Sequence, residues 1–342
     1  MQNLQSQSQK QLTGIGLLSG GLDSILAVYL VKALNIKVIA VCFVSPFFDN
    51  SNHVRAIAQE LNLELKIIRL GDEYINLIKH PKFGYGKNLN PCIDCHIYML
   101  KKSKELMESI GADFVFTGEV LGERPMSQNR QALKIIETEA SLTGRLLRPL
   151  SAQLLEPTIL ETQGRIDRSR LLSIQGRSRK PQLALAQQYN IKKFPQPAGG
   201  CLLTDSQFSR RLQDAFRHNE DSLTDIELLK IGRHFRIQSN KDEQLPPLKI
   251  IVGRDEKENE KLLQLKMPSD LILQPIDVPG PVVLIRNPSP INDISNEKIL
   301  SLAAGICARY SDNQGKPVKV CVCEKIIIAE PLDNKMFDNM RI

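Results

Sequence analysis

The stretch Gly14-Ile15-Gly16-Leu17-Leu18-Ser19-Gly20-Gly21-Leu22-Asp23-Ser24 decides the fold. Its first five residues read as a buried strand, Ser19–Ser24 as a tight glycine-bearing loop, and the apolar-periodic run through Leu34 as a helix. Working outward, the alternation continues. VIAVCFV (38–44) is a second strand, HVRAIAQELN (53–62) a helix and LELKIIRL (63–70) a third strand. After a loop rich in Gly and Lys, IDCHIYMLKKSKELMESIG (93–111) has helical spacing and a C-cap glycine, and DFVFTGE (113–119) is a fourth strand. This order predicts an α/β domain, a parallel sheet with helices on both faces. Ligands of such sheets bind beyond the carboxyl ends of the strands, where Ser19–Ser24 and Thr117-Gly118-Glu119 both lie.

The loop itself has phosphate-binding chemistry. Gly20 and Gly21 let the backbone approach a ligand closely, and the following helix offers free N–H groups. Ser19 and Ser24 add hydroxyls, and Asp23 suits Mg²⁺ or an ammonium group. No Lys precedes the last Ser, so this is not a Walker loop, nor is it G-x-G-x-x-G. It resembles instead the PP-loop, the SGGxDS signature of ATP pyrophosphatases. The resemblance implies a fold of the adenine nucleotide α-hydrolase type, with Mg²⁺ and ATP held by Ser19, Gly20, Gly21, Asp23 and Ser24; Thr117 and Gly118, at the sheet edge where the nucleotide should lie, are further candidate ATP contacts. It also implies that Asp23 takes part in an adenylation that releases pyrophosphate.

Asn90-Pro91-Cys92-Ile93-Asp94-Cys95-His96 opens the helix of 93–111, where thiols tend to ionise. Pro197-Ala198-Gly199-Gly200-Cys201-Leu202-Leu203 holds a further cysteine behind two glycines. With the upstream loop, these segments are similar to the tRNA-specific 2-thiouridylases over roughly residues 14–205. Cys95 matches that family's Asn-Pro-x-x-x-Cys cysteine, and Cys201 its Gly-x-Cys cysteine. Cys92 departs from the pattern, which has Asp there. The resulting CxxC plus one distant Cys resembles tRNA thiolases that hold a [4Fe–4S] cluster on three cysteines. Three readings stay open: a cluster on Cys92, Cys95 and Cys201, a persulfide or disulfide pair of Cys95 and Cys201, or zinc on these cysteines with His96. Cys42, Cys307, Cys321 and Cys323 read as buried structural thiols.

The formal charge of +7 is concentrated. Residues 165–217 carry eleven basic side chains against three acidic ones, a net of +8, which points to a polyanion partner. Arg177, Arg179 and Lys180 in GRSRK are candidate contacts to tRNA phosphates. The last 120 or so residues read as a separate α+β domain of short strands, KIIVG, LILQPIDV, PVVLIRN, VKVCVC and KIIIAE, with one or two helices. Over about 220–335 they resemble an NFACT-type RNA-binding domain, carried by Gly253, Arg254, Asn259, Pro279 and Gly280. Arg254 is the candidate RNA contact.

The expected organisation is an ATP-binding domain at 12–160, a basic tRNA-binding and cysteine segment at 161–218, and an NFACT-type domain at 219–342. Seven cysteines in 342 residues do not form a disulfide framework, and no signal or membrane-spanning run is present, so a cytoplasmic protein is expected. The first dozen residues read as a frayed tail. The expected activity is an ATP-dependent tRNA sulfurtransferase that makes thiouridine. Its sulfur donor would be a cysteine desulfurase, a carrier protein or inorganic sulfide. A small-molecule PP-loop ligase lacks a use for the basic block, and a non-enzymatic RNA-binding factor lacks a use for an intact SGGLDS.

Overall fold

The computed structural model describes residues 10–192, 194, 200–237, 247–286, 297–322 and 325–342. Residues 1–9 of the expected tail, Pro197–Gly199 of the Cys201 segment, Lys193 and Cys323 lie outside the described residues, whereas Leu12, expected at the end of that tail, is buried. The chain divides into two compact units, Met1–Asp205 and Ser206–Ile342.

The first unit runs β1 (Thr13–Leu17), α1 (Leu22–Ala33), β2 (Lys37–Val44), α2 (Ser51–Glu60), β3 (Glu64–Arg69), α3 (Asp72–Lys79), α4 (Cys92–Ile110) and β4 (Phe114–Phe116). It continues with α5 (Arg130–Glu139), β5 (Leu146–Leu147), α6 (Ile159–Thr162) and α7 (Lys180–Gln188). All five strands are parallel, in the order β3-β2-β1-β4-β5. From β1 the chain moves to β2 on one side and later to β4 on the other, so the crevice between their carboxyl ends is the switch point where ligands bind. Gly14 and Gly16 of β1 face Phe114 and Phe116 across the pairing; a methyl group at either would meet a ring at 2.7 or 2.4 Å. The strand is glycine-rich because its neighbour is aromatic.

The structure adds two elements to the expected order: α3 occupies part of the expected Gly- and Lys-rich loop, and the two-residue β5 closes the sheet. The expected helix at 93–111 is α4, ended by Gly111 in the left-handed region at φ 66°. Cys42 is buried in β2, as expected of a structural thiol.

The second unit contains α8 (Ser206–Arg217), α9 (Leu223–Leu228), β6 (Arg233–Ile237), β7 (Leu248–Val252), α10 (Glu256–Gln264), β8 (Leu271–Pro275), β9 (Val283–Arg286), α11 (Glu297–Arg309), β10 (Val318–Val322), β11 (Lys325–Ala329) and α12 (Asn334–Met340). Its six antiparallel strands run β11-β10-β8-β9-β7-β6. Phe235, Ile250, Leu273, Ile285 and Val320 form one apolar core with Ala303, Ile306 and Cys307 of α11.

The other face of β6, β7 and β9 carries charge. Arg236 pairs with Asp214 of α8 and with Glu220, and Lys249 reaches Glu220 at 3.0 Å. Arg286 pairs with Asp270 at 3.2 Å and with Asp225 of α9 at 3.5 Å. The three cations are all at least nine-tenths buried. The segment expected at 161–218 is therefore shared: residues through Asp205 belong to the first unit, and α8 belongs to the second. Among the described residues, no helix is long and apolar enough to cross a membrane.

Candidate active site

The loop after β1 is held by its own serines and by Asn50. Ser24 Oγ donates to the Gly21 carbonyl at 2.8 Å, Ser19 Oγ to Ser24 Oγ at 3.3 Å, and Asn50 Nδ2 to the Ser19 carbonyl at 3.3 Å. Gly20 has φ +83°, a conformation that a larger residue adopts only with strain. Gly21 is the residue before α1, and Asp23 and Ser24 fill the first turn. Across the crevice, a methyl group at Gly118 would strike the Asp23 and Ser24 backbone at 2.5 Å. The chain leaving β4 thus rests directly on the start of α1. Both segments line one cavity of about 430 Å³, within the size range of small-ligand sites.

The same cavity is lined by Cys92, Cys95 and Cys201. Cys92 and Cys95 lie on the first turn of α4. Asp94 anchors that turn by accepting from the Lys82 and Phe83 amides at 2.9 and 3.1 Å. Cys201 precedes a short turn tied to other loops: Leu202 N donates to the Phe47 carbonyl, and Asn88 Nδ2 to the Thr204 carbonyl. The three cysteines are free thiols.

Their ionisation corrects an expectation. A helix start favours thiolate, yet burial dominates and pushes Cys92 upward, Cys95 to about 12 and Cys201 to about 11. Each thiolate would also repel another: Cys92 and Cys201 both raise Cys95, and Cys92 raises Cys201. In this environment the thiols stay protonated until a cation or an electrophile takes up their charge. As placed, no three His, Cys, Asp or Glu side chains among the described residues form a metal-holding group.

Sequence reasoning missed several residues here. Tyr74 of α3 is fully buried, with its hydroxyl 2.9 Å from Cys95 Sγ. Glu119 meets His96 Nδ1 at 2.8 Å, the Thr117 hydroxyl at 2.9 Å and Arg148 Nε at 3.0 Å. Arg148 also reaches Glu137 at 2.9 Å. Thr117, expected to contact ATP, lines the cavity but donates its hydroxyl to Glu119. Arg124 lines the same cavity, and its charge opposes the rise that burial imposes on the Asp23 carboxyl and the Cys92 thiol. Tyr74 and Arg148 carry no motif signal. The Glu119 position was legible only as a strand end.

Burial alone would raise the Glu119 carboxyl, but Arg148 and His96 overcome it and hold the group at about 2, against 4.5 ordinarily. A lowered carboxyl stabilises the fold fully above its ordinary value, and that stability is lost as pH falls toward 2. The shift corresponds to roughly 3 kcal/mol. Glu119→Gln is expected to cost about 3 kcal/mol at neutral pH by weakening the hold on buried Arg148, and to flatten the acid-induced loss of stability below pH 4.5. Denaturant titrations across that pH window check this. An unchanged acid slope would assign the loss to other carboxyls.

The RNA candidates part company. Arg177 and Lys180 are exposed, whereas Arg179 is half-buried and near Asp23. Arg254 forks onto Glu258, with Nε 3.0 Å from both carboxylate oxygens, so its charge is matched within its own turn. The other residues carrying the NFACT resemblance also have structural work. Asn259 Oδ1 accepts from the Val282 amide at 2.9 Å, in space that a side chain at Gly253 would take. A methyl group at Gly280 would meet Ser311 Oγ at 2.5 Å.

Comparison with known proteins bears on both units. Residues 9–167 match the family of the thiamine biosynthesis protein (ThiI), and residues 232–332 match the NFACT protein RNA-binding domain. The chain carries a ThiI-type PP-loop domain and an NFACT-type domain. The tRNA-specific 2-thiouridylases MnmA of two Clostridium perfringens strains are each 31% identical over 125 residues, 30% of this chain and 33% of theirs. The chain thus spans about a third of the length of the curated relatives it matches. Two solved structures resemble it at a distance. A 4-thiouridine synthetase–RNA complex with bound ATP is 20% identical, with TM-score 0.37 over 60% of this chain and 51% of that one. A predicted tRNA methyltransferase subunit from Methanocaldococcus jannaschii is 14% identical, with TM-score 0.34 over 52% and 76%.

Proposed function

We propose that this ThiI-type protein is an ATP-dependent tRNA sulfurtransferase that adenylates a uridine carbonyl and replaces its oxygen with sulfur. The observation that carries the reading is one cavity walled by the Ser19–Ser24 loop on one side and by Cys92, Cys95 and Cys201 on another. A phosphate cradle and a set of thiols in one cavity suit no simple NTPase.

In the first step the uridine oxygen attacks the α-phosphorus of ATP and pyrophosphate leaves. Ser19, Gly21 and Ser24 receive the departing phosphates on backbone N–H and hydroxyl groups at the start of α1. Asp23 has a buried, unpartnered Oδ1 and a carboxyl raised by burial, so it suits a bound Mg²⁺. In the second step a hydrosulfide equivalent attacks the activated carbon. AMP departs with the original oxygen, leaving the thiocarbonyl.

Three cysteine thiolates are the donor type a [4Fe–4S] cluster uses, although as placed Cys92, Cys95 and Cys201 do not form a metal-holding group; such a cluster would supply an iron open to the incoming sulfide. Tyr74 fixes Cys95 through its hydroxyl, and the Glu119–His96–Arg148 network holds the α4 start against the end of β4. The exposed Arg177 and Lys180, with the NFACT-type domain, would bind tRNA through phosphate contacts.

The test is a reconstitution of the anaerobically purified full chain with Mg²⁺–ATP, sulfide and tRNA. Thiouridine, AMP and pyrophosphate are expected in equal amounts. ADP and orthophosphate as products would overturn the adenylation reading.

A further inference from the structure

The chain between β4 and α5 lines the cavity at Glu123, Arg124, Ser127 and Gln128. Its backbone is closely held. The Leu121 amide donates to Ser151 Oγ at 2.9 Å, and the Leu121 carbonyl accepts from the Gly176 amide at 2.7 Å. Gln128, itself buried, brackets Arg124. Its Oε1 accepts from the Arg124 amide at 3.1 Å, and its own amide donates to the Arg124 carbonyl at 2.9 Å. Asn129 closes the loop by donating to the Pro125 carbonyl at 2.8 Å while it caps α5.

The Arg124 side chain is left free by all this. It is exposed yet lines the cavity, and among the described residues its guanidinium makes no ion pair or hydrogen bond. Among the described residues that line the cavity, it is also the only Lys or Arg. Of the carboxylates there, Glu119 is matched by Arg148 and His96, Asp23 suits Mg²⁺, and Glu123 makes no ion pair with its neighbour. A guanidinium on a fixed backbone with no internal anion is ready for an external one, and its fork suits the non-bridging oxygens of a phosphate. One phosphate is common to both steps of the proposed reaction. The α-phosphoryl group is bonded first to the pyrophosphate that leaves over the Ser19–Ser24 loop, then to the uridine oxygen that sulfur displaces.

We propose that Arg124 is a catalytic residue that binds the α-phosphoryl group of ATP and keeps hold of it through both steps until AMP leaves. The inference rests on the adenylation reading above. In the second step the C–S bond forms and the C–O bond breaks. The electron pair of that bond stays on the AMP oxygen, and the hydrosulfide proton passes to the adjoining ring nitrogen. A phosphodiester monoanion thus becomes the AMP dianion, and Arg124 takes up the charge that develops.

The experiment compares AMP with adenosine as ligands of the full chain by calorimetry, since only AMP carries the α-phosphate. Arg124→Gln is expected to weaken AMP about 30-fold and to leave adenosine within about twofold. Its melting temperature should hold, because the side chain has no partner to lose. Arg124→Lys keeps the charge without the fork and should recover part of the AMP affinity. Thiouridine formation from Mg²⁺–ATP, sulfide and tRNA should fall about 100-fold in Arg124→Gln, with the salt slope of tRNA binding unchanged. The double variant Arg177→Gln, Lys180→Gln gauges that last readout and should lower the slope by about 1.4–1.8. Unchanged AMP affinity in Arg124→Gln would overturn the proposal. So would a variant that loses salt slope but keeps AMP affinity and turnover, which would make Arg124 an RNA contact. Wild-type release of ADP and orthophosphate would instead overturn the adenylation reading, and this inference with it.

Discussion

Cys92→Asp is expected to abolish both thiolation and bound iron in anaerobic preparations, although aspartate is the residue of the 2-thiouridylase pattern at this position. A persulfide relay between Cys95 and Cys201 has no need of Cys92. A three-cysteine cluster does, since two thiolates would leave an iron exposed to water and oxygen. Cys92→Ser, Cys95→Ser and Cys201→Ser should behave alike, each losing the broad visible absorption of an iron–sulfur protein together with its iron and labile sulfide. The three thiols share a cavity wall, and Cys92 raises both Cys95 and Cys201 toward the neutral form, so removing Cys92 changes the other two. If Cys92→Asp thiolates tRNA at the wild-type rate without iron, the cluster is discarded and the persulfide relay stands. Zinc in every variant, with no iron in the wild type, would make the site structural.

The second large effect lies at the phosphate loop. Asp23→Ala should reduce AMP and pyrophosphate release about 10³-fold, and Ser24→Ala about 10²-fold. The folding consequences run the other way. Asp23 has an unmet buried oxygen, so its removal should not destabilise the chain. Ser24 Oγ donates to the Gly21 carbonyl, so its loss should cost about 1 kcal/mol. A calorimetric melt beside the product assay separates the two. An Asp23→Ala variant that melts early and loses activity in proportion would make Asp23 a structural residue.

The parallel sheet was legible because buried strands and amphipathic helices alternate over the first 120 residues, with β1 running straight into the loop. The two-residue β5 was not, for so short a strand has no period to detect; its existence depends on pairing with β4. α3 was hidden in a loop named for its Gly and Lys, yet Tyr74, Ile75 and Ile78 give it a buried face. In the site, the loop and the cysteines stood out as motifs, while Tyr74 and Arg148 reach it only through tertiary packing. The basic block was the least transparent feature. A count of charges cannot distinguish an exposed Arg177 from an Arg168 that pairs with Glu161 at 2.7 Å, or from a half-buried Arg179.

The ion pairs between α8, α9 and the charged face of the second sheet set where the chain can be cut. The NFACT match begins at residue 232, and a fragment designed from it would start near β6. Such a fragment would discard Asp214, Glu220 and Asp225 while keeping Arg236, Lys249 and Arg286. Three cations built for the interior would then face the sheet with a single remaining counterion, Asp270. Stranding even one such charge is worth several kcal/mol, comparable to the whole stability of a domain this size. The portable module therefore opens at Ser206, and its recognisable motif is shorter than the piece of chain that can be moved as one.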